Sequence, residues 1–172
     1  MDTSTRDCNN YHEIATTSIG WIKCNYNGSY NTVTRQSKAG WILKNERGVF
    51  IDAGQAIGIM TTSPLDSELQ ALLIAMQHSW CKGFRKIIFE GDCKSISEIL
   101  NGKTLNFGCY NWIKEINYWK TRFEEVDFTW TPRQNNRPAD LLAKFFLPDN
   151  SSYNVYSCIL TFLLHDLRCN NY

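Results

Sequence analysis

The chain has 172 residues, 43% of them hydrophobic and 20% charged, with a formal net charge of +1. That length accommodates one domain with a real core, and the composition excludes a disordered chain. The near-neutral balance excludes a globally basic nucleic-acid binder, so any such contact rests on local placement of cations.

Residues 1–18 are polar and read as a flexible arm, without the apolar centre of a signal peptide. Trp21 to Tyr30 reads as a strand ending at Asn27-Gly28, a turn signal. Lys38 to Leu43 and Val49 to Ile57 follow as a second and third strand, joined by a turn at Asn45 to Gly48. Ser63-Pro64-Leu65-Asp66 opens a helix: Ser63 caps, Pro64 suits the first helical position, and Asp66 completes an S-x-x-D box. Leu69, Leu72, Leu73, Met76 and Trp80 recur at helical spacing before Gly83 ends the element. Arg85 to Asp92 is a short buried strand. Ile96, Ile99 and Leu100 mark a second helix, and Trp112, Ile113, Ile116 and Trp119 a third. Glu125 to Trp130 is a fifth strand, Pro132 to Arg137 a polar loop, and Pro138 opens a last helix through Ala143.

The order βββαβααβα predicts an α/β fold, a five-stranded mixed sheet flanked by helices. Beyond Phe146, Tyr153, Tyr156, Ile159, Phe162 and Leu163 suggest a short amphipathic helix that packs on the domain or meets a partner. The seven cysteines include no CxxC pair, which points to reduced, mostly buried thiols and no zinc site. The longest late apolar stretch, Ile159 to Leu164, is too short to span a bilayer. An intracellular chain, cytoplasmic or nuclear, is expected, and a monomer.

Three acids lie at telling places: Glu68 in the first two turns of the long helix, Asp92 at the end of the fourth strand, and Asp140 in the first turn of the last helix. Carboxyl edges of open sheets are where such folds build sites, and converging carboxylates suit hard divalent cations. Each acid also has a plainer reading. Asp140 is favoured by the helix dipole alone, Asp66 reads as a cap, and Asp52, Glu46 and Glu115 read as solvated. His78 reads as a surface or edge residue, and neither His12 nor His165 belongs to a nucleophilic triad.

The blocks WIKCNYNGSYN, AGWILKNERGVF, SPLDSELQALLIAMQHSW, CKGFRKIIFEGDCKS and TWTPRQNNRPADLLAK resemble the ribonuclease H-like domain. The resemblance covers about Trp21 to Phe146, so residues 19–147 are taken as that domain and 148–172 as a C-terminal extension with a short packed helix. The nearest variant is that of plant non-LTR retroelement reverse transcriptases and their stand-alone relatives. The resemblance implies Mg²⁺- or Mn²⁺-dependent cleavage of RNA in RNA·DNA hybrids, with four acids holding two metals. Glu68, Asp92 and Asp140 match three of these acids. The first position reads Tyr26-Asn27-Gly28-Ser29 where the family has roughly Y-D-G-S.

Two metals about 4 Å apart clamp an in-line phosphodiester displacement, and a bridging carboxylate lowers their mutual repulsion. Asn27 offers one neutral oxygen instead. Impaired hydrolysis with weak single-metal binding is therefore expected. Two escapes stay open: Glu90, on the same strand face as Asp92 but one row deeper, and deamidation at Asn27-Gly28. Gly28, Ser29, Thr62, Ser63, Lys94, Arg133 and Arg137 are the candidate contacts to an RNA·DNA hybrid or a double-stranded, RNA-like duplex. The segment Asn101 to Tyr110 holds one lysine, so binding should be weak and salt-sensitive. A nuclease, a catalytically dead nucleic-acid module and a protein-interaction module of domesticated retroelement origin all remain open.

Overall fold

β1 (Ile22–Tyr30), β2 (Ser37–Lys44) and β3 (Phe50–Ile57) form an antiparallel meander, and α1 (Pro64–Cys81) leads back to β4 (Lys86–Gly91). Then come α2 (Lys94–Leu100), α3 (Tyr110–Lys120), β5 (Glu125–Trp130), α4 (Arg137–Lys144), β6 (Tyr153–Tyr156) and α5 (Leu164–Cys169). This computed structural model describes residues 20–148 and 150–169. The arm at 1–18 lies outside the described residues. One sheet runs β5-β4-β1-β2-β3-β6, with β1, β4 and β5 mutually parallel.

Strand alternation explains both faces. Cys24, Tyr26, Trp41 and Leu43 point to one side, where Leu69, Leu72 and Met76 of α1 meet Ile87 and Phe89. On the other side Ile42 and Ala53 pack with Leu142, Leu163 and Leu167 of the C-terminal helical segments. β2 is covered on both faces, which is why AGWILK reads as a continuous apolar run. Gly40 marks the tightest crossing: a Cβ there would lie 2.4 Å from the Ala143 amide nitrogen and 2.5 Å from the Ala139 carbonyl. Gly40→Ala is expected to force α4 off the sheet at about 1–3 kcal/mol, the usual toll of overpacking. A urea titration reads this as a lower midpoint at unchanged slope.

Several expectations need correction. The sheet has six strands, because Tyr153–Tyr156 is extended and pairs antiparallel with Ala53–Ala56 rather than joining a helix. The reason is β3, whose free edge would otherwise leave a row of backbone groups unpaired. β1 does not stop at Asn27-Gly28 but runs on to Tyr30. Gly28 is required by close approach and not by a turn: a Cβ there would lie 2.6 Å from the Ser67 carbonyl oxygen of α1.

His78 and Asp52 are buried, not surface groups. His78 Nε2 is 3.2 Å from Asp52 Oδ1, and His78 Nδ1 is 2.6 Å from the Tyr153 hydroxyl. Of the thiols, Cys24 and Cys109 are buried, but Cys81 and Cys158 are exposed. Among the described residues, no helix is long and apolar enough to cross a membrane.

Candidate active site

β1, at the centre of the sheet, brings Asn27 and Gly28 to the edge where β4 ends. Alternation turns Asn25 and Asn27 away from the Cys24/Tyr26 core and toward α4. The cap of α1 then sets Glu68. Ser63 accepts a hydrogen bond from the Asp66 amide at 3.1 Å, while Thr62 donates to the Asp66 carboxylate. Glu68, one turn in, accepts the Gly28 N–H at 2.9 Å through Oε2. The close crossing at Gly28 permits that bond.

Asp92 lies in the bend just past β4. Asn27, 3% exposed, donates its amide to Asp92 Oδ2 at 3.3 Å. Asp140, in the first turn of α4, lies 2.7 Å from Lys144 Nζ and 3.9 Å from an Arg133 nitrogen. Glu68 and Asp92 both lie within electrostatic reach of Asp140 and Arg133. Burial pushes the Glu68 carboxyl up to about 8; the Gly28 amide opposes, Asp92 and Asp140 push further, and Arg133 opposes. Asp92 is also raised, by burial first and by Asp140, against the pull of Arg133 and the Asn27 amide.

Glu68 and Asp92 supply hard carboxyl oxygens whose charged forms burial and neighbouring acids disfavour, a penalty one divalent cation would relieve. The residues do not fit a pair of cations in the same way. In the orientation that satisfies Asp92, Asn27 turns its NH₂ group toward that acid, a donor that would repel a cation where a carboxylate would hold one. Among the described residues, no three histidine, cysteine, aspartate or glutamate side chains are gathered tightly enough to hold a metal ion. Glu90 is engaged elsewhere: it accepts from Asn25 at 3.0 Å and pairs with Lys23 at 3.3 Å, one row deeper.

The candidate duplex contacts divide. Lys94 stands two residues beyond Asp92 with its side chain 70% exposed, tied only loosely to Glu98 at 3.7 Å. The Arg133 side chain is 75% exposed beside Asp140. Arg137 instead pairs with Asp166 of α5 at 3.2 Å, on the C-terminal segment. Ser29 contributes its backbone carbonyl, which accepts from the Ser67 hydroxyl at 3.1 Å.

Sequence reasoning missed Asn136. It is fully buried and donates to the Tyr26 carbonyl at 2.8 Å, while its oxygen faces the Asn25 amide at 3.4 Å. This clasp fixes the start of α4, and so Asp140, against β1. Its only signal was an Asn at the cap position that makes no side-chain cap bond. Asn136→Ala leaves the Tyr26 carbonyl unpaired indoors and is expected to cost about 2 kcal/mol, measured by urea denaturation.

The sequence pattern of the reverse transcriptase-like family matches residues 25–146. A search of curated proteins gave no match. Among solved structures, RNase H1 from the halophilic archaeon Halobacterium salinarum NRC-1 is similar at 23% identity and TM-score 0.67, over 72% of this chain and 95% of that one. LC11-RNase H1, isolated from compost and solved in complex with an RNA/DNA hybrid, is similar at 19% identity and TM-score 0.63, over 70% and 92% of the two chains. At these identities the structures establish the fold alone. The chain belongs to the reverse transcriptase-like family and carries a ribonuclease H-like domain.

Proposed function

We propose that the chain binds RNA·DNA hybrids, or RNA-like duplexes, at the carboxyl edge of its sheet, and that its ancestral hydrolysis is impaired at Asn27. The observation that carries this reading is the bond from the Asn27 amide to Asp92, a donor where a bridging anion is needed. Support for the ligand comes from the family and from the hybrid bound to LC11-RNase H1. A Mg²⁺ or Mn²⁺ ion, held weakly by Glu68 and Asp92 with Asp140 nearby, would supply charge neutralisation at a phosphate.

The protein's own groups do the rest. The Gly28 amide orients Glu68, and Asn136 sets α4 and Asp140 against β1. Gly28, Ser29, Thr62 and Ser63 border the approach, Lys94 and Arg133 meet phosphates, and Arg137 joins them only by leaving its pair with Asp166. The chain is read as an intracellular monomer of plant non-LTR retroelement descent, with 19–147 as the ancestral domain.

Fluorescence anisotropy with labelled hybrid, double-stranded RNA and double-stranded DNA tests this. Hybrid binding should be measurable at low salt and fall steeply as salt rises. Equal indifference to all three duplexes at low salt would sink it. One observation favours a second reading: Leu105 and Phe107 are each 86% exposed, and Tyr110 is 63% exposed, at the entry to α3. That apolar run would suit a protein partner.

A further inference from the structure

The site edge also carries a large aromatic side chain that neither core absorbs. Trp130 ends β5 and is 47% exposed. Its indole N–H donates to the Asp92 carbonyl at 3.2 Å, which pins the ring over the turn between β4 and α2. Its register partner on β4 is Gly91, which has no side chain to cover the ring. The exposed cations Lys94 and Arg133 stand on either side in sequence, one on the next turn of chain from β4 and one three residues beyond Trp130. A fixed aromatic face, two cations and an acid cluster thus share one edge.

We propose that Trp130 is a stacking platform for an unpaired base, so that the preferred ligand is a duplex bearing a single-stranded extension and not a blunt one. The inference rests on the nucleic-acid reading above and narrows its substrate class. Bases inside a duplex are covered on both faces by their neighbours. An indole on the protein surface therefore gains most from a base that has left the stack. The Asp92 hydrogen bond has already restricted the ring, so little further ordering is lost when a base lies on it.

The test is anisotropy at low salt without divalent ions, using a blunt hybrid and the same hybrid extended by a short single strand. The native chain is expected to bind the extended ligand about tenfold more tightly, toward the low end of what one stacked base contributes. Trp130→Ala should erase that preference and keep the affinity for the blunt hybrid, which also shows that the variant folds. Trp130→Phe keeps a stacking face and should retain most of the preference. Binding of both ligands with no preference in the native chain, or a preference that survives Trp130→Ala, overturns the role of Trp130 alone. Failure of the native chain to bind either ligand overturns the nucleic-acid reading, and this inference with it.

Discussion

Asn27→Asp is expected to raise Mg²⁺-dependent cleavage of an RNA·DNA hybrid by at least about 100-fold over the native chain, the scale set by losing one group aimed at transition-state charge. The substitution is nearly isosteric at a position only 3% exposed, so the scaffold need not move. It replaces the donor facing Asp92 Oδ2 at 3.3 Å with a second anion. Without metal, that pair should repel, and the melting temperature of the variant should fall below that of the native chain. Added Mg²⁺ should then stabilise the variant more than the native chain, because a ligand that binds only the folded state raises stability by mass action. The thermal readout separates restored metal binding from restored chemistry. If the native chain cuts as fast as the variant, and Asp92→Asn silences it, the bond from Asn27 does not impair the site and the proposed lesion is wrong.

What the sequence made legible follows the range of the interactions. The start of α1 is written in adjacent residues, Ser63, Pro64 and Asp66, and the cap bond forms as that local chemistry requires. β2 was equally legible, since a strand covered on both faces shows as an unbroken apolar run. The positions of Glu68, Asp92 and Asp140 followed from where elements begin and end. Their surroundings did not. Asn136 looks like one more polar loop residue, because its partners Tyr26 and Asn25 lie 110 and 111 residues away. β6 was invisible for the same reason. Four residues with two tyrosines have no decisive period, and the free edge of β3 decides their conformation. Asp52 and His78 were misread because a carboxylate and an imidazole look solvated until their partners are known. Asn27-Gly28 misled in the opposite sense: the dipeptide does favour turns, but here the glycine serves a helix crossing.

The lock around Asp52 yields the second large expected effect. Asp52 on β3 faces His78 on α1, and His78 faces Tyr153 on β6, so one chain of polar contacts joins three elements. Lys82 Nζ lies 3.0 Å from the other Asp52 oxygen, with the Asp52 side chain 3% exposed and that of Lys82 45% exposed. Burial alone would push the Asp52 carboxyl up, but His78 and Lys82 together hold it below its ordinary value. Asp52→Ala removes the common partner of both and is expected to cost about 3 kcal/mol, the low end for breaking a buried pair, because Lys82 can turn to water. Since the folded carboxyl titrates below the ordinary 3.8, its contribution is complete above that pH and is lost as the pH falls through the folded value. The difference in urea midpoint between native chain and variant should therefore hold constant near neutrality and narrow below about pH 4. A difference that persists undiminished in acid would assign the cost to packing around the ring of Trp41, 5.1 Å from that of His78, and not to charge. Tyr153→Phe, by contrast, deletes one hydroxyl and should cost about 1 kcal/mol. The two substitutions should be non-additive, because both act through the same imidazole. A double-mutant cycle showing strict additivity would mean that β6 is held by its backbone pairing with β3 alone.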